Sequence, residues 1–346
     1  MARRFDHMAY TVCMSIRQLL APIEHVSPAW FVPVMGWTGL GLTWLRAAQA
    51  LGDVAMHLSW VCAVVAGLMA TQLVLVNVWR AVRYPVAFMA DVSHPILFNF
   101  WSALPIALVL LVALFMGLTP QANPYLEALW WLGALGEWAC LIWALARWSL
   151  PQAQPAGLSA ITPVIFLPLV GHALVPWAGV PLGHATYSAL QLGVGLFMWP
   201  IGLVVLLLRL FTVGPLPARM TPTWFILMVP PSALALSLNL WQPPESLLWG
   251  FWGMGLTSLM WALTYIKAIA QLEFNLPHWG MSFPLAAFTS MSLMMSQKTD
   301  GAWLQTPALM MLTLTSGVIL WLTWKTLLGI LGGVLLRPES QAPAQS

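Results

Sequence analysis

The chain has 346 residues, 60% of them hydrophobic and only 7% charged, against roughly 25% charged in a soluble domain. That composition excludes a soluble globular protein and marks an integral membrane protein. A net charge of +3 gives no argument for a nucleic-acid partner.

From the N-terminus, residues 1–27 are mixed, with Arg3, Arg4, Asp6, Arg17 and Glu24. They lack an apolar core followed by a small-residue cleavage site, so they read as a cytoplasmic segment and not a cleaved signal peptide. A helical span needs about 20 apolar residues. Ten spans fit the pattern, near 28–49, 54–78, 97–118, 125–148, 160–180, 184–210, 222–241, 246–268, 277–296 and 303–330. They form one membrane domain, 28–330, followed by a cytoplasmic tail, 331–346. With both termini inside, 11 of the 13 basic residues fall on cytoplasmic ends, and only Arg46 and Lys298 fall outside. Miscounting one span would reverse every later loop and destroy that agreement with the positive-inside rule. Trp79, Trp130, Trp131, Trp148, Trp241 and Trp303 sit towards span ends, as interfacial anchors do. Cys13, Cys62 and Cys140 are scattered, with neither disulfide nor metal spacing.

The odd-numbered spans share a pattern. Each opens on a proline with an aromatic two or three residues later: Pro28 with Trp30, Pro95 with Phe98, Pro163 with Phe166, Pro222 with Trp224, and Pro277 with Trp279. Each then carries a deeper proline, namely Pro33, Pro105, Pro168, Pro230 (with Pro231) and Pro284, whereas among even spans only Pro200 is clearly mid-helix. An interior proline removes a helix hydrogen bond, and in lipid the freed carbonyl is costly unless protein or a wet cavity satisfies it. The expected fold is therefore all-α: five helical hairpins, with five odd-numbered helices as an inner ring around a central pore and five even-numbered helices outside. Prolines that merely pack would explain the positions singly but not their parity.

The ninth span holds the candidate site. Phe283, Ala287, Ser290 and Met294 share one helical face; Phe283 either lines a path there or packs between helices. Pro33, Pro105, Pro168, Pro230 and Pro284 are candidate pore-lining residues, with Ala287 and Ser290. Arg80, Arg83 and His94, beside Asp91 in an inner loop, either draw anions to the cytoplasmic mouth or anchor the loop. Glu137 is the acid nearest mid-span and lies on an outer helix, where it would be protonated or pair with His172 or Arg46. His172 and His184 make structural hydrogen bonds more readily than a metal site. The chain contains no P-loop, no His-Glu-x-x-His and no Gly-x-Ser-x-Gly, so the protein is not read as an enzyme, and neither cofactor nor metal is expected. No Lys or Arg sits mid-span on an odd helix, so anions would meet hydroxyls and backbone dipoles, giving weak binding and fast passage.

Three stretches resemble a known family: Arg80-Ala-Val-Arg83-Tyr-Pro85 running to Asp91-Val-Ser-His94-Pro95-Ile-Leu-Phe98, Gly36 in Val-Met-Gly-Trp, and Phe274-Asn275 followed by Trp279-Gly-Met-Ser282-Phe283. With the ten spans, they are similar to the tellurite-resistance/dicarboxylate transporter family, TehA-like and related to plant slow-type anion channels. The resemblance covers roughly 27–330 and implies a central anion path, a homotrimer with one pore per subunit in the inner membrane, and Phe283 as a gate. Pro284 departs from the glycine of the TehA branch and matches the plant branch. The function the resemblance implies is passage of small inorganic or organic anions through a Phe283-gated pore, with a link to tellurite resistance. The alternative is a coupled carrier for C4-dicarboxylates, sulfite or tellurite-like oxyanions, and a membrane enzyme using His172, His184 or Glu137 is a distant third.

Overall fold

The computed structural model describes residues 21–119, 121–150, 157–298 and 303–336. Arg3, Arg4, Arg17, Arg337 and Cys13 lie outside the described residues. Within them the secondary structure is helical, without strands. The α-helices are α1 Val32–Leu51, α2 Asp53–Arg83, α3 Pro85–Ser93, α4 Ala103–Leu118 and α5 Pro124–Ser149. After a break come α6 Phe166–Val170, α7 Pro176–Gly179 and α8 Ala185–Val213. The chain ends with α9 Val229–Leu238, α10 Glu245–Leu263, α11 Ile266–Gln271, α12 Ser282–Ser296 and α13 Gln305–Leu331.

Six of the described helical segments are long and apolar enough to cross a membrane: Asp53–Arg83, Leu97–Leu118, Pro124–Ser149, Ala185–Val213, Ala218–Trp241 and Gln305–Leu331. The other four expected spans fall short of that measure for local reasons. The helix α1 is diluted by Gly36, Gly39, Gly41, Thr38, Thr43 and Arg46. The segment Pro163–Gly179 is broken into short pieces, while α10 is diluted by Gly250, Gly253, Gly255, Thr257 and Ser258 and α12 by Ser282, Thr289, Ser290 and Ser292. Apolar side chains cover the outside: Leu68, Leu75 and Val82 on α2, Phe197, Val204 and Phe211 on α8, and Met310, Leu314 and Trp324 on α13 are all exposed. So continuous an apolar exterior has lipid as its solvent, and the protein is a multi-pass membrane protein.

The proline pattern has a different local meaning from a kink. Each segment that carries it begins as a 3-10 helix: Pro28–Phe31, Leu97–Ser102, Pro163–Ile165, Ala218–Met228 and Leu276–Met281. Each then changes to α-helix at Val32, Ala103, Phe166, Val229 or Ser282. The deeper prolines Pro33, Pro105, Pro168, Pro230 and Pro284 all fall in the first three residues of the α-helical part. A missing N–H is cheap in a first turn, so these prolines mark where 3-10 becomes α. Among the described residues only Pro200, inside α8, interrupts an α-helix.

Burial follows the same division. The 3-10-led segments are buried almost throughout, with 67% of the Leu97–Leu118 window and 78% of Ala218–Trp241 inside the protein, against 22% for α8 and 28% for α2. Each buried segment is followed by a long helix that packs back on it: α1 with α2, α4 with α5, α6 with α8, α9 with α10, and α12 with α13. The buried segments also touch one another. The helix α1 packs on α4 and α12, α4 on α7 and Gly171–Leu174, and α9 on Gly171–Leu174 and α12.

Ordinary helix chemistry sets the ends. The α1–α2 turn is a single residue, Gly52, at φ 64°, a conformation that a side chain disfavours. Asp53 opens α2 and Arg80 and Arg83 close it, each opposing the helix dipole. The side chain of Asn123 caps α5 by accepting from the Leu126 N–H at 2.9 Å, with Pro124 in the first turn.

The helices α1 and α12 approach closely. A Cβ on Gly36 would fall on the Ser282 hydroxyl, 2.8 Å from its Cβ. Gly36→Leu is therefore expected to push α12 away and cost about 1–3 kcal/mol or more. A lowered melting temperature of the detergent-purified variant checks this; unchanged melting would show that the two helices part freely.

One expected set of anchors needs correction. Trp79, Trp148, Trp241 and Trp303 are 39–59% exposed, as interfacial rings should be. Trp130 is fully buried, stacked on His184 with ring centres 4.9 Å apart, and donates from Nε1 to the Val175 carbonyl at 3.0 Å. It is a packing residue whose one polar atom has found an internal acceptor.

Candidate functional site

The 3-10 segments surround a cavity of about 790 Å³. Trp30, Phe100, Thr223, Ile226 and Gly280 line it from four of them, and Phe166, Gly171 and Leu174 complete the wall. Of the five deeper prolines, Pro284 lines it. Pro33, Pro105, Pro168 and Pro230 are buried in the surrounding walls. Pro105 turns outward, its Cβ 2.9 Å from where a Cβ on Gly136 of α5 would sit. The lining falls instead on the residue before the proline: Val32, Leu167, Val229 and Phe283 all reach the cavity. Three are aliphatic and one is aromatic. In three segments sequence reasoning stopped one residue late; in the fourth it had named Phe283, and in the fifth it is Ile106, after Pro105, that reaches the cavity.

Phe283 is 2% exposed and rests on α1. A Cβ added to Gly39 would lie 2.7 Å from its Cδ2 and 3.3 Å from its Cε2. The absence of a side chain at Gly39 is what lets the ring lie there. Beyond it α1 and α12 run parallel and in step. Thr43 Oγ1 donates to the Ala286 carbonyl at 3.0 Å, and Arg46 Nε donates to Ser290 Oγ at 3.1 Å. Ala287 is buried between these levels. Ser290 and Arg46 line a second, smaller cavity of about 280 Å³. Seven residues of α-helix rise roughly 10 Å, which is the spacing along α12 from Phe283 to Ser290.

Arg80, Arg83 and His94 are not equivalent. Arg80 lines the large cavity but is only 2% exposed, and its donors are engaged. Nε reaches the Glu24 carbonyl at 2.7 Å, Nη1 that of Val26 at 3.1 Å and Nη2 that of Ala87 at 3.2 Å, and Nη2 pairs with Asp91 at 2.6 Å. His94 lines the cavity as a cap: its Nδ1 accepts the Ile96 and Leu97 N–H groups, both at 3.1 Å. Arg83 is exposed, with its guanidinium 6.0 Å from the Tyr84 ring centre. Around the cavity rim Arg80 and Arg219 are offset by Glu24, Asp91 and Glu273, so charge of both signs meets there.

The remaining buried ionisable groups are dispersed. Glu137 is 0% exposed, and neither carboxyl oxygen has a hydrogen-bond partner among the described residues. Neither expected partner reaches it: His172 Nδ1 pairs with Gln191 Oε1, and Arg46 with Ser290. The carboxyl packs on Gly171 instead, its Cδ 2.7 Å from where a Cβ would sit. His184 pairs with Glu127 at 2.7 Å. His172 and His184 thus serve separate partners and form no joint site with Glu137. No group of three His, Cys, Asp or Glu among the described residues could hold a metal.

Comparison with known proteins adds a family and three relatives. The profile of a family described as SLAC1, voltage-dependent anion channel, matches residues 25–327. An uncharacterized transporter of Methanocaldococcus jannaschii is 25% identical over 291 residues, covering 77% of this chain and 83% of the relative. A second uncharacterized transporter of that organism is 26% identical over 299 residues, covering 78% of this chain and 83% of the relative. A putative malic acid transport protein of Schizosaccharomyces pombe is 28% identical over 244 residues, 62% of this chain and 53% of the relative.

Proposed function

The chain belongs to the SLAC1 family of voltage-dependent anion channels, and we propose that it conducts small anions along a central path with Phe283 as the gate. In this reading the five 3-10-led segments form the inner ring and their partner helices the outer one. The observation that carries it is the arrangement of the two cavities. The larger ends at Phe283 and Pro284, and the smaller opens at Ser290, two helical turns further along the same helix. Phe283 lines the larger cavity and not the smaller; in this reading its ring closes the level between them.

Selectivity then follows from dehydration. Around Phe283 the lining is Val32, Ile106, Leu167, Leu174 and Val229, so an ion at that level must shed water without a fixed cation to replace it. Weakly hydrated anions lose least, and the absence of tight binding favours passage. Ten spans with both termini cytoplasmic, a homotrimer in the cell membrane and a link to tellurite resistance complete the proposal. They rest on the charge pattern of the loops and on the family resemblance.

Purified protein in planar bilayers tests it. Currents should reverse at the anion equilibrium potential and be larger for weakly hydrated anions; cation-selective current, or none, would overturn the channel. A second reading, a coupled carrier for dicarboxylates, is favoured by the name of the fission-yeast relative, a putative malic acid transport protein. Saturable, pH-driven malate uptake into liposomes with negligible conductance would establish it instead.

A further inference from the structure

The small cavity beyond Phe283 differs from the large one in its charge. Arg46 is its one charged lining residue among those described, whereas the larger cavity has acids at its rim. Three more donors share the wall, Ser290, Gln49 and Trp177, among leucines such as Leu42 and Leu236. Ser290 takes the Nε–H of Arg46, one of five N–H groups on a guanidinium. The ion pairs among the described residues are Arg80 with Asp91 and His184 with Glu127, so no carboxylate there neutralises Arg46. Independently, the indole Nε1 of Trp177 is buried without an acceptor. A partly buried cation and an orphaned N–H in an apolar wall are both costly, and a bound anion relieves both.

We propose that this cavity is an anion-binding site, built on Arg46 with Ser290, Gln49 and Trp177, for a small inorganic monovalent anion. Its role in transport rests on the path proposed above; its binding does not. One unpaired guanidinium matches one negative charge, and a doubly charged anion would leave a charge facing leucine. Positioned about two helical turns beyond Phe283, the site concentrates anions at that end of the path. The contribution is largest in dilute salt, because screening shortens from roughly 30 Å at 0.01 M to 3 Å at 1 M.

The first measurement is chloride-35 line broadening by the detergent-purified protein, with thiocyanate as competitor. The wild type should give excess broadening that thiocyanate abolishes; Arg46→Gln should lose it and Arg46→Lys keep part of it. Gln49→Glu, which adds an acid at an exposed position without touching the Arg46–Ser290 bond, should lose it too, and serves should Arg46→Gln fold poorly. Broadening that persists in Arg46→Gln or in Gln49→Glu overturns the site. In bilayers, Arg46→Gln should reduce conductance about threefold in 0.01 M salt and little in 1 M; an equal effect at both concentrations overturns the site's role. Chloride binding lost in Arg46→Gln, in a wild type that passes no current, would retain the site and sink the channel.

Discussion

Replacing Phe283 by Ala is expected to raise anion conductance in planar bilayers about tenfold or more at equal protein density, equivalent to roughly 1.4 kcal/mol off the barrier. In the proposed path the ring closes the level between the two cavities, and its neighbour Gly39 offers no side chain to refill the gap. Val32, Leu167 and Val229 reach the large cavity from the position ahead of a proline, as Phe283 does. Shortened to Ala, Phe283 would become the smallest of the four and cease to be the largest. Phe283→Leu should give an intermediate rise, since it matches the aliphatic members in size. Elution and melting close to those of the wild type would certify the fold. Unchanged conductance in such a folded variant would make Phe283 a packing residue.

Arg80→Ala is expected to produce the largest loss of stability of any single cation removal, about 3–5 kcal/mol. The side chain ties α2 to two other parts of the chain: Glu24 and Val26 before α1, and Ala87 and Asp91 in α3. Truncation would take a charged donor from three carbonyls and the paired guanidinium from Asp91. Arg80→Lys should recover only part of the loss, because a single ammonium cannot spread over the same acceptors as a planar guanidinium. Melting of the detergent-purified variants reads both. Wild-type melting in Arg80→Ala would mean that water satisfies those groups and that the arginine is free to serve the mouth.

The buried segments were legible because backbone chemistry writes itself into composition. A proline in lipid has few tolerable settings, so prolines of one parity disclosed which segments lie inside. What they mark, a change from 3-10 to α, was hidden, since both helix types accept proline in a first turn. The direction of the side chains depends on that change, and for this reason Val32, Leu167 and Val229 escaped notice. Arg80 and Arg46 were less legible for a related reason: charge counts give the side of the membrane but not burial. For Arg80 the choice between drawing anions and anchoring the loop stayed open, and its bonds to carbonyls and its pair with Asp91 fit the anchor. Arg46 looked like a span-end marker and turns inward to Ser290. Trp130 was taken for an anchor by its position near a span end, whereas a carbonyl acceptor at Val175 fixes it inside.

The register of α1 against α12 has a mechanical consequence. Phe283 on Gly39, Ala286 on Thr43 and Ser290 on Arg46 are successive rungs between the same two helices. If α12 turns as one rigid rod, Phe283 cannot lift from Gly39 without changing the distance from Ser290 to Arg46. The two events then share one coordinate, and thermodynamic reciprocity applies to them. Whatever stabilises one position of the Arg46 contact biases the position of Phe283 by the same free energy. The permeating species would thereby act as a ligand that sets how often its own route is clear.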